Sequence, residues 1–174
     1  MFARFLPTDY VTSIYHIDLR HLWDSGVRGL VTDLDNTLVA WGALTAPEKL
    51  VAWLDHAREL GFAVCILSNN HEERVARFAA QLGIPALARA RKPRTGAYHK
   101  AMALIGTTPA QTAMIGDQLF TDVWGGNRLG IRTILVTPVP GQQHGGTTMI
   151  RRVERVVLRG RKPLAIDEYF TGGH

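Results

Sequence analysis

The sequence predicts an α/β domain, a three-layer α/β/α sandwich around a mainly parallel sheet, and three observations carry that expectation. Short apolar runs alternate with stretches of about 10–15 residues whose apolar positions recur at helical spacing. Glycine or proline punctuates nearly every junction between them. The 174 residues, 46% apolar and 20% charged, match one packed core, since domains run to roughly 100–200 residues.

The elements follow in order. Gly29 to Leu34 (GLVTDL) is an apolar run ending in acids, as a buried strand does. Pro47 and Gly61 bracket a helix with Leu50, Val51, Trp53, Leu54, Ala57 and Leu60 on one face. Phe62 to Leu67 (FAVCIL) is the second strand, and His71 to Leu82 a helix that turns Val75, Phe78, Ala79 and Leu82 inward and stops at Gly83. A short strand near Ile84 to Leu87, a helix from Thr95 to Ile105 and a strand from Thr112 to Ile115 come next. Thr121 to Leu129 reads as a helix closed by Gly130, with Gly125-Gly126 part of that cap, and Ile131 to Val136 as the last strand. Strands alternating with helices imply right-handed crossovers and a parallel sheet. The domain is expected to span 1–174, with an N-terminal extension over 1–26 and a basic C-terminal helix and tail over 147–174.

Composition excludes several classes. The single cysteine, Cys65, makes neither an internal disulfide nor a cysteine zinc site. No apolar run reaches about 18 residues, and Arg4, Pro7 and Asp9 interrupt what a signal peptide needs, so a cytoplasmic setting is expected. The net charge of +5 resides in residues 151–162, so the basic balance marks a local patch and no nucleic-acid partner is expected. On a helix from 147 to 159, Arg151, Arg152, Arg155 and Arg159 share one quadrant opposite Met149, Ile150, Val153, Val156 and Val157. That helix reads either as an ordinary closing element or as a peripheral attachment to an anionic membrane, on its inner face.

Ligands of parallel sheets bind beyond the carboxyl ends of the strands. Those ends carry Asp33 and Asp35, then Ser68, Asn69 and Asn70, then the basic run Arg89, Arg91, Lys92 and Arg94, and finally Asp117 and Asp122. On an ideal strand Asp33 and Asp35 would point to the same side and repel unless a cation lay between them. Hard oxygen ligands of this kind suit Mg²⁺, which also binds substrate phosphate. Ser68, Asn69 and Lys92 are placed to hold phosphoryl oxygens, and one carboxylate would be free to attack phosphorus. Arg89, Arg91 and Arg94 read as solvated charges whose field attracts anions. Trp41, just past the acidic loop, is the candidate substrate contact.

At these residues the sequence resembles the haloacid dehalogenase (HAD) superfamily of phosphohydrolases. Asp33-Leu34-Asp35-Asn36-Thr37 reads as DxDxT, Ser68 follows an apolar strand, Lys92 precedes Pro93, and Gly116 to Asp122 reads as GDxxxD. The resemblance implies a Rossmann-like fold and Mg²⁺ as cofactor. It also implies Asp33 as nucleophile and metal ligand, and Asp35 as general acid and base with a backbone metal contact. Ser68 and Lys92 would be phosphate holders, Asp117 a metal ligand, and Asp122 its support. Flanking words such as Asp33 to Trp41 (DLDNTLVAW) and Ser68-Asn69-Asn70 are similar to the YqeG family of subclass IIIA phosphatases, itself similar to phosphatidylglycerophosphatases of mitochondria and plastids. A phosphorylated lipid substrate is what that likeness implies. The alternatives are another bulky or soluble phosphate ester, or a non-catalytic phosphate-binding module. Between the motifs there is room for single helices and no cap domain, so a bulky substrate or a surface is expected to shield the reaction.

Overall fold

The computed structural model describes residues 3–140, 157–158 and 162–163. Six strands, β1 (Asp9–Val11), β2 (Gly29–Thr32), β3 (Ala63–Leu67), β4 (Ala86–Leu87), β5 (Thr112–Gly116) and β6 (Arg132–Val136), form one sheet in the order β1-β6-β5-β2-β3-β4. Every neighbouring pair runs parallel. β2 lies inside the sheet, with Gly29 in register with both Ala63 and Thr112. Five helices, α1 (Leu19–Asp24), α2 (Glu48–Glu59), α3 (Glu72–Leu82), α4 (Thr95–Ile105) and α5 (Trp124–Asn127), supply the outer layers.

Alternation along the strands sorts the core into two faces. Leu30, Val64, Ile66, Ala113 and Ile115 meet Leu19 and Leu22 of α1, Trp53, Leu54 and Ala57 of α2, and Val75, Phe78 and Leu82 of α3. Val31, Cys65, Leu67 and Met114 meet Tyr98, Ala101 and Met102 of α4 on the other face. Both faces are buried, so the strands read as unbroken apolar runs.

Four local expectations need correction. The first core strand ends at Thr32 rather than Leu34, because the chain turns at Leu34, whose carbonyl accepts the amides of Thr37, Leu38 and Val39. The segment expected as an extension contains β1, which pairs with β6, and α1, whose first turn is capped by Asp18 accepting the His21 amide. Arg132 clamps β1 in place through Asp9, at 2.8 Å. Thr121 to Leu129 is not one regular helix, since a π-helical turn over Leu119–Val123 precedes the short α5. Gly125 and Gly126 are packing residues inside α5 rather than a cap. A Cβ on Gly125 would lie 2.2 Å from the Tyr98 hydroxyl, and one on Gly126 would lie 2.7 Å from Thr133 Cγ2.

No helix among the described residues is long and apolar enough to cross a membrane. The expected basic face of Arg151, Arg152, Arg155 and Arg159 lies outside the described residues. Val157 and Leu158 pack against the cluster of Leu119, Val123 and Leu135.

Candidate active site

The carboxyl ends of β2, β3 and β5 open onto a pocket of about 300 Å³, lined by Asp33, Asp35, Asn36, Trp41, Ser68, Asn69, Asn70, Lys92, Gln118 and Thr121. Asp33 continues the sheet by one hydrogen bond, its amide donating to Ile115 O at 2.9 Å. Asn36 then adopts φ +59°, a left-handed position that asparagine tolerates better than most residues, and its amide closes the turn onto Val39 O at 2.7 Å. That turn separates the two aspartates. Their side chains therefore meet different cationic side chains, Lys92 for Asp33 and Arg74 for Asp35, because the strand has ended before Asp33.

Asp33 faces Lys92, whose Nζ lies 2.9 Å from Asp33 Oδ1 and 2.7 Å from Asp122 Oδ1. The three side chains are nearly solvent-free, at 8%, 2% and 1% exposure. Burial pushes the Asp33 carboxyl from its ordinary 3.8 up to about 6, against the Lys92 charge and with help from the Asp122 charge. Burial acts to lower the Lys92 ammonium. The Asp122 and Asp33 carboxylates outweigh it, so the lysine titrates above its ordinary value and stays charged.

Asp35 has its own cation, which the sequence reading missed. Arg74 on α3 places Nη2 at 2.6 Å and Nε at 2.8 Å from Asp35 Oδ1, while Asn70 Nδ2 donates to Oδ2 at 2.7 Å. The same guanidinium donates to Ala43 O at 2.7 Å and lies 5.8 Å from the Trp41 ring, so it ties the acid to the loop that carries Trp41. A signal for Arg74 existed: it stands four residues before Phe78, on the buried stripe of its helix, where a charge needs a partner.

Ser68 directly follows β3 and is not the cap of α3, a position held by His71. Its hydroxyl accepts the Asn70 amide at 3.1 Å, and its carbonyl accepts the Ala90 amide. Asn69 brackets Lys92, accepting its amide at 2.7 Å and donating to its carbonyl at 3.3 Å. The Asn69 side chain therefore fixes the backbone from which Lys92 reaches the carboxylates.

Asp117 follows β5 directly and receives the Thr37 hydroxyl at 3.4 Å. Asp122 sits in the π-helical turn, an irregularity that often re-aims a side chain at a functional site. Its Oδ2 accepts the Gln118 amide at 3.2 Å, and Tyr98 steadies the turn by donating to Thr121 O at 2.5 Å. Asp33, Asp117 and Asp122 each offer an oxygen within 4.8 Å of the others, and all three are buried. Around the pocket four carboxylates face two cations, Lys92 and Arg74. The surplus of two negative charges, presented by hard oxygens, fits one divalent cation of the Mg²⁺ type. The Asp35 carboxylate, held by Arg74 and Asn70, is not part of that oxygen group. No histidine among the described residues belongs to it either.

The HAD-hydrolase-like family model matches residues 89–142. "Probable phosphatase YqeG" of Bacillus subtilis (strain 168) is 44% identical over 158 residues, covering 91% of this chain and 92% of that protein. "Phosphatidylglycerophosphate phosphatase 1, chloroplastic" of Chlamydomonas reinhardtii is 33% identical over 159 residues, covering 86% of this chain and 59% of that protein. The cobalt-bound deoxy-D-mannose-octulosonate 8-phosphate phosphatase of Haemophilus influenzae superposes with a TM-score of 0.50 at 20% identity, over 77% of this chain and 88% of that one. At that identity the likeness is one of fold.

Proposed function

The chain belongs to the YqeG family of HAD-like phosphatases, and from that premise we propose that it hydrolyses phosphomonoesters through an aspartyl-phosphate on Asp33, with Mg²⁺ as cofactor and a phosphatidylglycerophosphate-like lipid as substrate. The observation that carries the proposal is the buried bridge of Lys92 between Asp33 and Asp122, beside a pocket that Asp35 also lines.

Asp33, Asp117 and Asp122 would hold the metal, together with the Asp35 backbone carbonyl. A bound Mg²⁺ supplies positive charge that offsets the surplus carboxylate charge and orients the phosphoryl oxygens. A carboxylate oxygen of Asp33 attacks phosphorus as the bond to the leaving alkoxide breaks, and protonated Asp35 gives that alkoxide its proton. Water then attacks the acyl-phosphate while ionised Asp35 takes up the water's proton, which frees inorganic phosphate and restores Asp33. Lys92 and the Ser68 turn hold the transferring group. Trp41 lines the pocket and would contact the remainder of the substrate.

The lipid assignment draws on the plastid relative and on the lack of a cap among the described residues. Each crossover of the sheet is spent on one helix, with no insertion for a cap, so a bulky substrate or its bilayer is left to shield the reaction. Attachment through the C-terminal arginines belongs to the same reading. The test is turnover of phosphatidylglycerophosphate beside a panel of soluble phosphate esters, with and without chelator. Mg²⁺-restored activity led by the lipid is the expected outcome. Activity that ignores chelation refutes the cofactor, and indifference to the lipid refutes the substrate.

A further inference from the structure

Arg89 and Arg91 have φ of +46° and +55°. Both lie in the left-handed region, which arginine enters only at a cost and which glycine or asparagine would occupy more easily. Both are exposed, as is Arg94. Among the described residues none of the three side chains has a hydrogen-bonding or ion-pair partner, whereas Arg74, Arg77 and Lys92 are each paired with carboxylates. No Asp or Glu occurs between Glu73 and Asp117, so the segment supplies the three arginines with no counter-charge.

Their loop is one wall of the pocket. The Arg89 amide donates to Asn70 O at 2.9 Å, the Ala90 amide to Ser68 O at 3.0 Å, and the Lys92 amide to Asn69 Oδ1 at 2.7 Å. Ser68, Asn69, Asn70 and Lys92 all line the cavity. Strained backbone positions that persist cluster where function needs a fixed geometry. Here two such positions, Arg89 and Arg91, and the extended Arg94 put three unpaired guanidiniums on the segment that also carries Lys92 into the pocket.

We infer that Arg89, Arg91 and Arg94 form a second anion subsite, which selects substrates carrying a second phosphate a few bonds away from the phosphomonoester being cleaved. The inference rests on the phosphatase reading and narrows its substrate class. A fixed loop suits a fixed spacing between two phosphates in one molecule, while a lipid surface, diffuse in its charge, needs no such pinning. Guanidiniums engage phosphate by charge-assisted, often bidentate hydrogen bonds, so the subsite discriminates by charge and by distance.

The test uses two water-soluble substrates, so that no bilayer takes part: deacylated phosphatidylglycerophosphate, which carries two phosphates, and glycerol 3-phosphate, which carries one. The wild-type protein should prefer the first in kcat/KM by about tenfold or more, and added salt should erode the preference. The combined variant Arg89→Asn, Arg91→Asn and Arg94→Gln should bring the ratio to within about twofold of unity, and three Arg→Lys changes should keep part of it. Asparagine suits the left-handed positions, so the thermal midpoint should hold or rise. A wild-type ratio of one, or a ratio the variant leaves intact, overturns the inference. So does a variant whose only loss is sedimentation with phosphatidylglycerol vesicles, since the arginines would then serve the membrane surface. Phenyl phosphate separates the two levels: if it is turned over while the ratio is one, the subsite alone fails, and if it is not, the phosphatase mechanism fails and the subsite falls with it.

Discussion

Gly116→Ala tests the geometry of the site with one methyl group. A Cβ at position 116 would lie 2.2 Å from Asp122 Oδ2, 2.3 Å from its Cγ and 2.5 Å from its Cβ, where ordinary contact begins near 3.4 Å. The obstacle is steric, because Gly116 lies outside the left-handed region. Asp122 must retreat by about 1 Å, an overpacking strain of about 1–3 kcal/mol. The same retreat stretches the 2.7 Å contact to Lys92 beyond hydrogen-bond range. For a chain of this size the stability loss corresponds to roughly 2–12 °C in Tm. Displacing a catalytic constellation by that distance costs about 10²-fold in rate. Calorimetry and kcat/KM for p-nitrophenyl phosphate across a Mg²⁺ titration, both well below the variant's Tm, separate the two effects. A variant with wild-type Tm, Mg²⁺ requirement and turnover would refute the assigned position of Asp122 against Lys92.

Two further outcomes follow from the same geometry. Asp33 titrates at about 6 in the metal-free fold against an ordinary 3.8, so its contribution to stability is fully present below pH 3.8 and is lost as pH rises through about 6. Asp33→Asn should therefore gain on the metal-free wild type across that window, by on the order of 2–3 kcal/mol, and then level off. Urea unfolding at several pH values reads the difference, and a gap that shrinks with rising pH contradicts the assignment. Arg74→Gln should lower kcat/KM for an alkyl phosphate by about tenfold or more, while p-nitrophenyl phosphate, whose leaving group needs no proton, stays within about threefold. Equal losses on both substrates would make Arg74 a structural support rather than the residue that positions Asp35.

Legibility in the sequence followed the range of the interactions. The long crossovers were readable because Leu50, Trp53, Leu54 and Ala57 on α2, or Val75, Phe78 and Leu82 on α3, repeat over several turns and are all buried. β1 was not, since three residues carry no period and their place is set by register with β6, where Asp9 pairs with Ile134. α1 spans six residues, too few for an apolar stripe to declare itself. Strand ends placed Asp33, Ser68 and Asp117 correctly at one end of the sheet, yet the pairing of Asp35 with Arg74 was missed, because 39 positions separate them and only the helical stripe of α3 hinted that this cation needs a partner. The glycine pair of α5 was misread for the same reason: Gly125 is required by the Tyr98 hydroxyl on a different helix and Gly126 by Thr133 on β6.

The most direct test of an aspartyl-phosphate mechanism is to trap the phosphoenzyme. Mixing the protein with a radiolabelled phosphate ester and Mg²⁺, quenching in acid, reducing with borohydride and sequencing by mass spectrometry should find an acid-stable, hydroxylamine-sensitive label and homoserine at position 33. Label at another residue, or full turnover by Asp33→Asn, would contradict nucleophilic attack by Asp33.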